Sequence, residues 1–335
     1  MSQSPLSGPS DFLERLLIAA LSPAYATSIP WMFAAFCLAI VFTLRKRRAP
    51  VRVKVMLRAT LPRRLFSSPS GRADWAMTLV NTIIAILFFG LVTIPVALIS
   101  RPVGEALTHI FPQPRLALSG SVVAVVATVA FYLSYELGYW ISHFSKHRFE
   151  FLWRFHTVHH TAESLSPLTN FRIHPVDSII TFNILAICNG ITAGLLAFTF
   201  GAAASPYVIY GTNALILVMA GLLGTLQHSH FWILFPRPLN RLLLSPAHHQ
   251  LHHSIDPAHH NSNYGSTLAI FDWLFGTLTI PPQRRPKLSF GVQGVERPHS
   301  AEAMLLRPLS EAAGTLARQG DKGRAGMPAA QSEIA

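Results

Sequence analysis

The histidines constrain this chain more than any other feature. Fourteen of its sixteen histidines fall between His143 and His260. They run as His143-x-x-x-His147, then His156-x-x-His159-His160, then His174, then His228 and His230, then His248-His249-x-x-His252-His253, with His259 and His260 behind. Neutral imidazole is the commonest side-chain metal ligand. Spacings of three and four put two imidazoles on one face of a helix, about 5.4 Å apart along its axis. Any fold for this sequence has to bring these groups together.

Apolar runs decide where they meet. Half of the 335 residues are hydrophobic, only 13% are charged, and the mean hydropathy is +0.37. A soluble domain carries about a quarter charged residues, so the composition is that of a membrane protein. Residues 29–44 are a short first span, and 75–99 are twenty-five residues without a charge. Residues 116–141 form a third span with Glu136 near its end. The runs 178–200 and 207–226, joined by a turn, read as two spans or one helical hairpin; either way both ends lie on one side. The formal net charge is +12, and ten Lys and Arg lie between Arg45 and Arg72 with no acid among them. Beside an apolar span that is first a topology signal and second an anionic-lipid contact; nucleic acid is a poor third reading. Placing 45–72 in the cytoplasm sends the second span out and the third back. His143 to His174 then face the cytoplasm, and the hairpin returns His228 to His260 to the same face. The bilayer is expected to be a bacterial inner membrane or its equivalent.

The first thirty residues lack the basic n-region and compact apolar core of a secretory signal. Cys37 and Cys188 sit in apolar runs and build neither a disulfide framework nor a cysteine zinc site. The expected organisation is 1–115 with two spans and the basic loop, 116–280 with the histidine motifs, and 281–335 as an extension, disordered from about 310. The fold class is all-α: a multi-span helical membrane protein whose cytoplasmic-side helical cap holds a histidine-rich dimetal site.

Each histidine has a plainer reading, since Trp and His often sit at a helix end near the membrane interface. Two copies of His-x-x-His-His plus His143-x-x-x-His147 outweigh it. The ligand candidates are His143, His147, His156, His159, His160, His249, His252 and His253, with His228 leaving a span just before the last group. His174 is a ligand or a residue holding one, and His230 and His248 stay open. His109, His259, His260 and His299 read as ordinary surface groups. About nine nitrogens suffice for two ions, since one zinc takes four. Imidazole suits Fe, Zn, Cu and Ni, so ligand type does not name the metal.

These motifs resemble the fatty acid hydroxylase/sterol desaturase superfamily of integral-membrane di-iron oxidases. The likeness covers roughly 116–279 and runs more weakly to about 309. It rests on Glu136-Leu-Gly-Tyr-Trp140-Ile-Ser-His143-x-x-x-His147, Leu152-Trp153-Arg154-Phe155-His156-x-x-His159-His160, Arg172-Ile-His174-Pro175 and Gln227-His228-Ser229. Ser245-Pro246-Ala-His248-His249-x-x-His252-His253-Ser254, Asn263-Tyr264-Gly265 and Phe271-Asp272-Trp273-Leu274-Phe275-Gly276-Thr277 complete it. Two departures stand out: Phe144 where the family commonly has Arg, and Glu136 where it commonly has Asp. Neither removes a ligand. The resemblance implies two iron ions, with zinc as a substitute, and O₂ as co-substrate. It implies hydroxylation or desaturation of a membrane lipid, with no catalytic group apart from the metal ligands. Trp140, Phe149, Phe151 and Trp153 either line a lipid entry or anchor the interface. No nucleotide or haem module is evident, so electrons would come from a separate ferredoxin or cytochrome with its reductase.

Three other classes compete. A metal transporter would place ligands inside its spans, but 178–200 and 207–226 hold no histidine and no charge. A bis-histidine haem protein would set single histidines on paired spans. A non-catalytic or zinc-binding relative of the same fold stays open on sequence alone.

Overall fold

The computed structural model describes residues 9–22, 28–46, 54, 58, 61–114, 116, 118–201 and 204–325. Residues 47–53, 55–57 and 59–60 of the basic stretch 45–72, and the last ten residues, therefore lie outside the described residues. The principal helices are α1 (Pro9–Leu21), α2 (Ile29–Lys46), α3 (Pro69–Val92), α4 (Ala97–Ile110), α5 (Gly120–Arg148), α6 (Glu150–His160) and α7 (Pro175–Phe200). Then come α8 (Ala214–Met219), a π-helical turn (Ala220–Gly224), α9 (Pro246–His252) and α10 (Arg307–Ala325). Three stretches of the described residues are long and apolar enough to cross a membrane: Gly90–Ile110, α5 and α7.

α7 is the central strut. His174 caps its first turn by accepting from Val176 N, and Pro175, which has no N–H to lose, opens the helix. It ends at Gly201, whose φ of +63° suits the residue that follows a helix. At 1.5 Å per residue its 26 residues span about 39 Å. α5 runs antiparallel beside it: Lys146 pairs with Asp177, and Ser142 Oγ donates to Thr181 Oγ1 at 3.2 Å. α4 lies on another side in the same direction as α7. There Gly190 and Gly194 let the backbones close up, because a Cβ would meet Ile99 Cβ at 2.5 Å and Val103 Cβ at 2.7 Å. Small residues at such contacts are how apolar helices associate in lipid.

The expected uninterrupted span 75–99 is instead two helices, broken between Val92 and Ala97. Pro95 has no N–H to donate, and the helix before it ends at Thr93, which is extended. Asn183 of α7 satisfies the freed groups: Ile94 N donates to its Oδ1 at 2.9 Å, and its Nδ2 donates to Val92 O at 3.0 Å. The first half of α3 belongs to the histidine end, where Asn81 Nδ2 donates to Phe171 O and Ile173 O at 3.0 and 2.8 Å.

The arms of the 178–226 hairpin are unequal. The returning arm, Ala214–Gln227, is too short to be counted among the spans. It is preceded by a two-stranded ribbon, Val208–Ile209 with Thr212–Asn213, a small exception to an all-helical fold. Tyr210 and Gly211, with φ of 50° and 76°, make its turn.

The tail differs from expectation too. Residues 307–325 form α10 rather than a disordered segment. Composition hid an amphipathic face: Ala312 and Thr315 are buried, and Arg307 Nε pairs with Glu311 at 2.6 Å one turn on. α10 packs on α6, with Arg154 reaching Glu311 at 3.6 Å.

Candidate metal centre

At the end of the bundle where α5 stops and α7 begins, nine imidazoles form two groups. His143, His147, His156, His160 and His252 make the first; His159, His228, His249 and His253 make the second. In each group one nitrogen per residue lies within 4.8 Å of all the others. Opposite ligands on one ion, at about 2.1 Å each, stand roughly 4.2 Å apart, so each group is the size of a single-ion site.

The two His-x-x-His-His motifs are dealt between the groups in a crossed way. On α6, His156 and His160 serve the first group and His159 the second. On α9 and its cap, His249 and His253 serve the second group and His252 the first. At 3.6 residues per turn, positions i and i+4 sit about 40° apart around a helix while i+3 falls about 60° to the other side. Each motif therefore gives its i, i+4 pair to one group and its middle histidine to the other. His143 and His147, from the last turns of α5, complete the first group; His228, just past the short arm, completes the second.

The donor atoms suit a cation. In the first group, Nε2 of His143, His147, His156, His160 and His252 is buried with no hydrogen-bond partner among the described residues. A buried polar atom left unpaired costs about 1–3 kcal/mol, and five inward lone pairs are what a metal ion would satisfy. Three of these rings are fixed from behind. Nδ1–H of His143 donates to Tyr264 O at 2.9 Å, that of His156 to Asp177 Oδ2 at 2.7 Å, and that of His252 to Ser262 O at 2.7 Å. A carbonyl only accepts, so for His143 and His252 the proton is on Nδ1 and Nε2 carries the free pair. In the second group, Nε2 atoms of His228, His249 and His253 form a triangle with sides 2.8, 3.1 and 3.2 Å, and His159 Nε2 stands 3.0 Å from His228. Three neutral imidazoles cannot all donate around such a triangle, and a central cation removes the conflict. Nδ1 of His159, His228 and His253 is buried without a partner among the described residues. Burial pushes His228 and His252 down to about 3 and holds His156, His159, His160, His249 and His253 below the usual histidine range. Neutral rings are the form that binds metal.

The surrounding side chains hold these rings. Asp177 binds His156 and, on its other oxygen, Lys146. Asp272 accepts from Tyr264 N and Gly265 N at 2.8 Å each, fixing the peptide whose carbonyl orients His143. Glu136, wholly buried, accepts from Thr267 N at 3.0 Å and Leu268 N at 2.9 Å, so the carboxylate ties the 263–268 loop to α5. Trp153 packs against His147 and His160 with ring centres 5.1 and 5.3 Å apart. Trp140 is buried between Phe144 and Phe275, stacked at 4.9 and 4.4 Å. Phe144 thus completes an aromatic stack. Phe151 meets Phe155 at 5.5 Å, and Phe149 stays exposed.

His174 is in neither group. It is the N-cap of α7, and its Nε2–H donates to Leu305 O at 3.1 Å. Proline behind it forces a helix start, and a helix start needs a capping acceptor more than a ligand. His248 accepts from Ser245 N at 3.1 Å in a capping box at the start of α9. His230 lies against Phe231, ring centres 4.2 Å apart. His109 and His260 are exposed. His299, expected at the surface, accepts from Arg172 Nη2 at 2.8 Å. Sequence reading missed Lys146 and Asp177. Their only signal was a charge placed where an apolar helix begins or ends, next to a motif histidine.

Residues 128–277 match the fatty acid hydroxylase family, so the likeness drawn from the motifs is shown. An ornithine lipid hydroxylase of Rhizobium tropici is 28% identical over 200 residues, 59% of this chain and 53% of that protein. An alkylglycerol monooxygenase of Danio rerio is 26% identical over 154 residues, 44% of this chain and 29% of that protein. A very-long-chain aldehyde decarbonylase of Arabidopsis thaliana is 27% identical over 149 residues, 42% of this chain and 21% of that protein. The chain thus matches about half or less of the length of these relatives. No solved structure matches it significantly.

Proposed function

With residues 128–277 matching the fatty acid hydroxylase family, we propose that the chain is an integral-membrane di-iron oxidase that hydroxylates or desaturates a lipid. The observation that carries this is the pair of interlocked histidine groups at one end of the apolar helices. Iron bound there would supply the activation of O₂ and the attack on an unactivated C–H bond. The chain's own residues do the rest. Tyr264 O, Asp177 and Ser262 O hold the first-group rings in the tautomer that faces the ion. Trp153 and Tyr264 pack against His147 of that group, and Trp140 backs Tyr264.

In a hydroxylation, one oxygen atom enters the lipid and the other leaves as water, with two electrons from outside the chain and two protons from solvent. A separate ferredoxin or cytochrome with its reductase supplies the electrons. Arg64 and Arg285, close enough to act on one another, belong to the basic face on which an acidic donor would dock. The metal end faces the cytoplasm in this reading, because Arg63, Arg64 and Arg72 flank the start of α3 at that end. The relatives, named for ornithine lipid and alkylglycerol, favour a lipid with a polar head and its chain in the bilayer.

The test is a comparison of lipid extracts from cells with and without the chain. A new lipid heavier by one oxygen or lighter by two hydrogens, dependent on O₂, is expected together with about two irons per purified chain. Zinc-loaded protein with no oxygen-dependent lipid change would instead support the non-catalytic or zinc-binding reading.

A further inference from the structure

Arg172 lies outside both histidine groups and is wholly buried. Its fork spends donors on three separate parts of the chain. Nε donates to Val158 O at 3.1 Å, in the last turn of α6. Nη1 donates to Ser70 O and pairs with Asp74 Oδ1, each at 3.3 Å, at the start of α3. Nη2 donates at 2.8 Å to Thr161 Oγ1, to Pro298 O and to His299 Nδ1. The last two lie beyond the 128–277 family match. Asp74 is held in turn by Thr169 Oγ1 at 2.7 Å and Ser166 Oγ at 3.3 Å.

The last four carbonyls of a helix have no donor within it, and a cation there is favoured by the helix dipole. Val158 O is one of those carbonyls, and Thr161 Oγ1 also donates to it at 2.7 Å. The turn it closes is the one that deals His156 and His160 to one histidine group and His159 to the other. A buried ion pair rarely adds net stability over apolar packing, so its more defensible use is to fix geometry.

We propose that Arg172, neutralised by Asp74, is a positioning residue for the dimetal centre: it pins the end of α6 so that neighbouring histidines of one turn reach two different ions. This rests on the metal reading above. Lysine cannot replace the fork, because its single ammonium cannot span these acceptors. The plainer alternative is a fold-stabilising pair with no influence on the metals.

The full chain in detergent separates these cases. Arg172→Lys, Asp74→Asn and Thr161→Val are compared with the parent, using added Co²⁺ as the probe. Readouts are cobalt affinity and visible absorption, with helicity and gel filtration as fold controls. Variants that keep the parent's fold should bind cobalt about tenfold more weakly, the size of effect of losing a group that orients ligands, and with an altered absorption band. Folded variants with the parent's affinity and spectrum would overturn the proposal. Should Arg172→Lys and Asp74→Asn fail to fold, Thr161→Val decides, since it leaves the ion pair intact; a parent-like cobalt spectrum there would also overturn it. A parent that takes up no cobalt would instead sink the metal reading itself, which is a different failure.

Discussion

The two histidine groups are built from the same residue type but are held differently. In the first, His143, His156 and His252 are anchored from behind by two backbone carbonyls and a carboxylate. In the second, the outer nitrogens of His159, His228 and His253 have no partner among the described residues, so packing alone orients those rings. Partners behind a ligand fix its tautomer and raise its basicity. One histidine group is therefore preorganised and the other adaptable.

The harshest way to break this contrast is to delete one ligand from each group. His252→Ala in the first and His159→Ala in the second should each abolish the lipid change and lower bound metal. Full activity in either variant would remove that histidine from the centre. Next in size, Asp177→Asn should weaken metal binding at the first group by about 10–100-fold and leave the second nearly unchanged. Metal titration resolves the two phases, and equal weakening of both would mean the anchoring is not local. A milder probe is slow chelation of the loaded protein: metal should leave in two phases, the second group emptying first. A single phase would show that the anchors do not set retention.

Acid should affect both groups together. His252 and His228 are pushed down to about 3 by burial, below the roughly 6.5 of an unfolded chain. Between those values the unfolded chain binds protons that the folded chain does not, so metal-free protein should lose stability as pH falls through that window. Helicity against pH measures it; a transition confined to pH above 7 would contradict it. The smallest effect belongs to His174→Ala, which should keep its metal and lose only about 1 kcal/mol of stability as a missing cap.

Spacing made much of the centre legible in advance. The His143-x-x-x-His147 pair and both His-x-x-His-His motifs announce helical faces, and the structure brings those faces together in two groups. The dealing of His159 and His252 to the group opposite their neighbours was not legible, because it depends on how α6 and α9 meet rather than on either helix. Asp177 and Lys146 were invisible for the same reason: they matter through each other, 31 residues apart. His174 was misplaced because a capping histidine and a ligating one look alike beside proline. The span 75–99 misled because hydropathy does not register Pro95, and the tail misled because glycine-rich composition masked the spacing of Ala312 and Thr315.

The broken helix near Pro95 has a mechanical meaning. Its two open peptide groups are both gripped by the amide of Asn183, so the bend is riveted to α7 rather than left as a free joint. Any tilt of the outer half must drag α7 with it. The inner end of that strut carries Asp177, so the helix that grips the break is also the one that holds the carboxylate behind His156.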